Sequence, residues 1–416
     1  MMHIPHKFRI FADVGKFAHI FMTAAVLLAL SGMKATAQEV TFSRQIPGLR
    51  PYSIDEQVMT RTEKDSVRMV MELWRRYVSS FTSPLFTEGR RREMWVDGSE
   101  DYLQEFDDGN LLYATFRENR VLDIRKLGAG TYEIVAMTRS RLPGEYADWI
   151  ESVFRVCAMA VADKPGTMQN PFRLCNWLDA VLPTLKKQRV GNLLYYASSD
   201  VPRKDARRVS SFIDRFRAAY GLPTGAPVRY VVGTSAEDCR LLSGFLFNAY
   251  SNLRTTAAAP RAMGTGFYGR TFGSGLVLSN YLDDSHDIIL SLILPEYSRA
   301  LPLLTEGVAL YHGGFMTCSY DVLKSSLRRY LAANRDLDLS VEEDLYGRSV
   351  PVLAGETLGP SVPLEGLVGA VLVEYAFTRH GVWKVKELLA CGEYARLFRC
   401  LGIPSGDIDI FLRGIL

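Results

Sequence analysis

One carboxylate constrains this chain more than any other residue. Glu306 lies in Leu301–Gly314 (LPLLTEGVALYHGG), where Leu303, Leu304, Val308 and Leu310 surround it with apolar side chains. Pro302 suits the first turn of a helix there. A helix this apolar is expected to be buried, and an ionised carboxylate buried within it needs a partner because unpaired burial is costly. The fold must therefore bring His286 or an arginine to Glu306. His286 belongs to Asp283–Leu290 (DDSHDIIL), twenty residues upstream. Asp283, Asp284, Ser285 and Asp287 cluster where a helix should begin. There Asp and Ser cap free N–H groups, and acids oppose the positive end of the dipole. A cation held by the same D-D-S-H-D cluster is the competing reading.

The chain has 416 residues, enough for two domains with sizeable cores. Residues 1–37 read as a secretory signal. Lys7, Arg9 and Lys16 precede an apolar run, Phe21 to Met33, and Ala35-Thr36-Ala37 forms an A-x-A cleavage site. The mature chain is expected to begin near Gln38 and to act in the periplasm, at the outer membrane or outside the cell. Membrane association is expected only through export or an uncleaved signal. Without residues 1–37 the chain carries as many acids as bases, which removes the electrostatic case for a nucleic-acid partner. Local basic runs such as Arg90-Arg91-Arg92 and Lys186-Lys187-Gln188-Arg189 read as solvated surface. The six cysteines form no C-x-x-C pair; Cys157 and Cys175 are one candidate disulfide, and buried free thiols are the other reading.

Hydrophobic periodicity predicts an α+β chain. Glu63 to Phe81 is an amphipathic helix, with Val67, Val70, Met71, Leu73, Trp74 and Val78 on its apolar side. Strand-like runs follow at Leu111 to Phe116, Gly130 to Met137, Ile150 to Ala162 and Val190 to Ala197, separated by turn formers. This predicts an N-terminal helix with a curved antiparallel sheet. Ala206 to Tyr220 is helical, Val228 to Gly233 is a strand, Ala236 to Leu246 is helical and Leu276 to Tyr281 is a strand. Beyond Pro363 the chain is mostly helical. The expected organisation is a signal over 1–37, a first domain over 38–203, and a mostly helical domain with a small sheet over 204–416.

The Glu306 helix resembles the glutamate helix of gluzincin-type zinc peptidases, the peptidase-MA-like proteins, and His286 matches the first His of H-E-x-x-H. The strand before His286 is placed like that family's cleft-edge strand. The N-terminal half resembles the cystatin-like cone domain that precedes such modules in some exported bacterial proteins. The resemblance implies a zincin-like domain in which two His one turn apart and a Glu on the next helix hold zinc, and a Glu beside the first His acts as general base.

The departures fall on the chemistry. Leu290 replaces the second His and has no lone pair to give. Asp287 replaces the base with a carboxylate one methylene shorter, and misplacement by about 1 Å can cost roughly a hundredfold. Beyond residue 37 the only other histidines are His312 and His380, neither suitably spaced. No catalytic, metal or cofactor residue is therefore assigned, and His286, Asp287 and Glu306 stand as vestigial candidates. The expected function is that of an exported, non-catalytic pseudo-metallopeptidase that binds or scaffolds a peptide or protein in its cleft. The alternative is an active zinc peptidase with non-standard ligands. Gly264 to Gly269 matches G-x-G-x-x-G but lacks the strand before and helix after that a dinucleotide site requires. It reads as a loop over the cleft.

Overall fold

A computed structural model describes residues 52–54, 57, 65–80, 92–97, 99, 117–128, 130–140, 150–161, 170–248, 269–272, 275–316, 318–354 and 357–416. The signal segment, the strand expected at Leu111 to Phe116 and residues 264–268 of the glycine-rich loop lie outside the described residues. The described chain is a mixed α+β fold.

The first sheet has the order β1 (Tyr52–Ile54), β2 (Arg117–Gly128), β3 (Thr131–Ser140), β4 (Ile150–Ala160), β5 (Phe172–Asn176). The β1–β2 pair is parallel and the others are antiparallel. Helix α1 (Asp65–Ser80) covers one face. Its Val70, Leu73, Trp74 and Tyr77 are buried in a core with Val121, Ile134, Phe154 and Leu174. Sequence periodicity finds α1 because its apolar positions recur at helical spacing. It misses β2, whose pattern is laden with charge: Arg120 is fully buried, while Arg125 and Lys126 reach solvent. In β4 and β5, Cys157 and Cys175 are direct cross-strand neighbours, both buried free thiols.

The second sheet begins with β6 (Lys186–Val190) and β7 (Leu193–Ala197). A hairpin splits the strand expected over Val190 to Ala197, turning at Gly191, whose φ of 55° suits glycine. The Lys186–Arg189 run, expected as plain surface, is thus an edge strand, where lysine discourages further pairing. Helix α2 (Trp177–Val181) leads into this hairpin, and helix α3 (Arg203–Tyr220) follows it, ending at Gly221 in the left-handed conformation. Next come β8 (Val228–Val232), α4 (Ala236–Leu242) and β9 (Phe245–Asn248). The helix expected through Leu246 stops early because Phe245–Asn248 leaves to pair with β4 of the first sheet. After β10 (Gly269–Thr271) and β11 (Leu276–Ser279), the sheet order is β10-β11-β8-β7-β6. Strand β8 is parallel to both neighbours; the two outer pairs are antiparallel. The expected domain boundary at 203/204 falls within the strand sequence of this sheet, since β6 and β7 precede it and β8, β10 and β11 follow it.

Successive residues of these strands face opposite layers. Tyr195, Tyr230 and Val277 join α3 and the C-terminal helices in the largest core, whereas Tyr196, Val231, Leu276 and Leu278 join Leu178 of α2 and Cys239 of α4. The C-terminal helices are α5 (Ser285–Ile293), α6 (Pro302–Gly313), α7 (Tyr320–Ala333), α8 (Glu342–Leu345), α9 (Leu364–His380), α10 (Val382–Leu389), α11 (Tyr394–Cys400) and α12 (Ile408–Ile415). A hairpin of β12 (Ser349–Ala354) and β13 (Thr357–Pro363) precedes α9. Among the described residues no helix is long and apolar enough to cross a membrane.

Candidate functional site

Two close helix contacts set the site. Gly307 of α6 lies against Gly369 and Ala370 of α9: a Cβ at Gly307 would fall 2.4 Å from the Gly369 carbonyl carbon. A Cβ at Gly369 would fall 1.8 Å from the Leu303 carbonyl oxygen. Helix α6 is thereby seated on α9 at the turn that carries Glu306, whose Cβ packs near Gly366. At its far end, a Cβ on Gly313 would lie 2.7 Å from the backbone nitrogen of His286. That glycine lets the start of α5 approach α6 and brings His286 within reach of Glu306.

His286 Nε2 and Glu306 Oε2 are 3.1 Å apart. The imidazole is almost fully buried, with the edge of its ring system against Phe315, whereas the Glu306 side chain keeps 38 % of its surface exposed. On the other side of the ring, Nδ1 lies 3.8 Å from Asp287 Oδ2 and has no hydrogen-bond partner. Burial works against a charged imidazole, but the adjacent Asp287 and Glu306 carboxylates outweigh it and hold the His286 pKa well above its usual value.

The aspartates are tied down by the sheet and by the helix start. Asp284 caps α5: its Oδ1 accepts the Asp287 backbone N–H at 3.3 Å, and its Oδ2 accepts the Ser279 hydroxyl at 2.9 Å. The Thr271 hydroxyl donates to Asp287 Oδ1 at 2.8 Å and also lies 2.7 Å from the Asp287 carbonyl. Burial and the Asp287 charge push the Asp284 carboxyl well above the usual carboxylate range. Burial also opposes charge on Asp287, yet His286 and Thr271 prevail and keep its carboxyl below that range. Asp283 stays outside this cluster, exposed and paired with Arg208 at 2.6 Å.

The vestigial candidates His286, Asp287 and Glu306 are thus brought together, and Leu290 follows one turn later as a buried core residue. The histidines considered as replacements do not join them. His312 accepts or shares a hydrogen bond with the Tyr220 hydroxyl at 2.8 Å, within a ring cluster of Phe216, Tyr311 and Phe377. His380 stands against Tyr375 and Trp383 at the end of α9. The donors at Nε2 do not fit a peptidase zinc. Such a site normally takes three protein ligands and an open position. Here Nε2 has Glu306 beside it, Leu290 offers no donor, and Asp287 lies toward the opposite nitrogen.

Sequence reasoning passed over Thr271 and Ser279, since a hydroxyl in a short strand carries no signal of its own. It also expected the strand before His286 at the sheet edge. That strand is β11, and among the described residues β10 covers its outer side. The edge strand next to the site is therefore β10, whose Thr271 binds Asp287. No protein-family model matches the chain, and neither does any curated protein or solved structure.

Proposed function

We propose that this chain is an exported, non-catalytic pseudo-metallopeptidase that binds an extended peptide or protein segment beside His286 and Glu306. In this reading the second sheet with the C-terminal helices carries a degenerate gluzincin-like domain, and the first sheet with α1 a cystatin-like cone. One observation carries it: the His that would bind zinc is in direct contact with the Glu that would bind it, and a buried leucine replaces the third donor. The place of β10 at the end of the sheet, among the described residues, supports peptide binding, because an edge strand can take up an extended chain through main-chain hydrogen bonds. Export rests on the basic and apolar pattern of residues 1–37.

Proteolysis of reduced, carboxymethylated casein tests the non-catalytic half. With zinc supplied in excess, the full chain is expected to leave casein intact over many hours. Cleavage that needs zinc, stops on chelation and is lost in Glu306→Gln would overturn the reading in favour of a peptidase with non-standard ligands.

A further inference from the structure

The two nitrogens of His286 face different chemistry. Nε2 has Glu306 at hydrogen-bond distance, while Nδ1 is buried, lacks a hydrogen-bond partner and points toward Asp287. A separation of 3.8 Å is too long for a hydrogen bond. It is an ordinary spacing for two ligands of one metal ion. One ligand atom each from Asp284, His286 and Asp287 can be chosen so that all lie within 4.8 Å of one another. Metal–ligand bonds of about 2.0–2.4 Å place ligand atoms roughly 3–4.8 Å apart. All three residues are more than nine-tenths buried.

The surroundings complete the pattern. A ligating histidine almost always gives its other ring N–H to a carboxylate, backbone carbonyl or water, which fixes the tautomer and aims the free lone pair at the metal. Glu306 holds that outer position at Nε2. Ser279 holds Asp284 Oδ2 while Oδ1 caps α5, each oxygen keeping a second lone pair, and Thr271 holds Asp287 Oδ1, leaving Asp287 Oδ2 toward the ring. The cluster sits at the N-terminus of α5, whose dipole acts as about half a positive charge. Once both aspartates are ionised and His286 has lost the Nδ1 proton, as ligation requires, the two negative charges exceed that.

We propose that Asp284, His286 Nδ1 and Asp287 form a binding site for one divalent transition-metal ion, with Glu306 as the outer partner of the ring. An imidazole with two carboxylates suits zinc or manganese better than the oxygen-only sites favoured by calcium. The site differs from a peptidase centre in three ways. It uses the other ring nitrogen, it leaves Glu306 outside the coordination shell, and it turns the position of the general base into a ligand. The ion would pin the start of α5 to the sheet through Ser279 and Thr271. This inference is independent of whether β10 binds peptide.

The test uses the full chain, stripped of metal by denaturation with a chelator and refolded with zinc or with manganese. Dialysis followed by elemental analysis should find one equivalent of metal, and the melting temperature should rise with metal concentration. Asp284→Asn and Asp287→Asn should each abolish the stoichiometric binding. Glu306→Gln should keep it with roughly 10- to 100-fold weaker affinity, as expected of an outer-shell partner. Imidazole nitrogen NMR of the wild-type chain decides the site even if a variant fails to fold. A zinc-dependent shift at Nδ1 of His286 supports the proposal. Zinc at Nε2, or no zinc bound by the refolded wild-type chain, overturns it.

Discussion

His312 shows how a single buried side chain sets a pH dependence. It lies on α6, six residues beyond Glu306, and burial among aromatic rings lowers its pKa from 6.5 to about 4. The folded state therefore binds its proton later than the unfolded state does as pH falls. Stability from this residue is complete above pH 6.5 and declines as pH falls toward 4. Between pH 7 and 5 the loss should be about 2 kcal/mol. Urea unfolding at the two pH values should show that the wild-type chain loses about this much more than His312→Gln does. The reading of residues from sequence succeeded where local composition implies a need. Glu306 in an apolar helix pointed to a partner, and His286 provides it, although the carboxylate is half-buried rather than enclosed. It did not reach Thr271 or Ser279, whose roles come from strands that only the assembled sheet places beside α5.

Helix α6 is held where backbone meets backbone. Replacing glycine by alanine inside a helix usually adds stability, by about 1 kcal/mol. At Gly369 the sign should reverse, because the new Cβ would fall 1.8 Å from the Leu303 carbonyl oxygen, an atom that no side-chain rotation can move. Gly369→Ala should destabilise the chain by about 2 kcal/mol or more, the scale of an overpacked core. Denaturant unfolding checks this, with Gly414→Ala in α12 as the control in open surroundings. A midpoint unchanged by Gly369→Ala would contradict the close seating of α6 on α9. At this scale, helices with clear periodicity or caps, such as α1, α3 and α9, were legible. Strand β2 and the β12–β13 hairpin were not. In β2 the charged residues hide the alternation, and one of them, Arg120, is itself buried. The β6–β7 turn was also missed, since a lone Gly191 between two apolar runs does not announce a chain reversal.

Across the whole molecule, exchange of strands links what the sequence suggests are separate halves. Strand β9 joins the sheet that α1 covers, and the β6–β7 hairpin forms one side of the other sheet. Such pairings are long-range and leave no local signal, which is why composition alone suggests a boundary near 203. The second sheet then presents β10, its end strand among the described residues, beside α5, so the clustered acids, His286 and that strand meet in one place. That juxtaposition is the basis for proposing recognition of an extended chain without turnover. The most direct measurement is fluorescence anisotropy of labelled, carboxymethylated casein titrated with the full chain in the presence of zinc. The account predicts that anisotropy rises to a saturating plateau and stays there, with the casein intact. Anisotropy that never rises, or that rises and then decays as fragments are released, would contradict it.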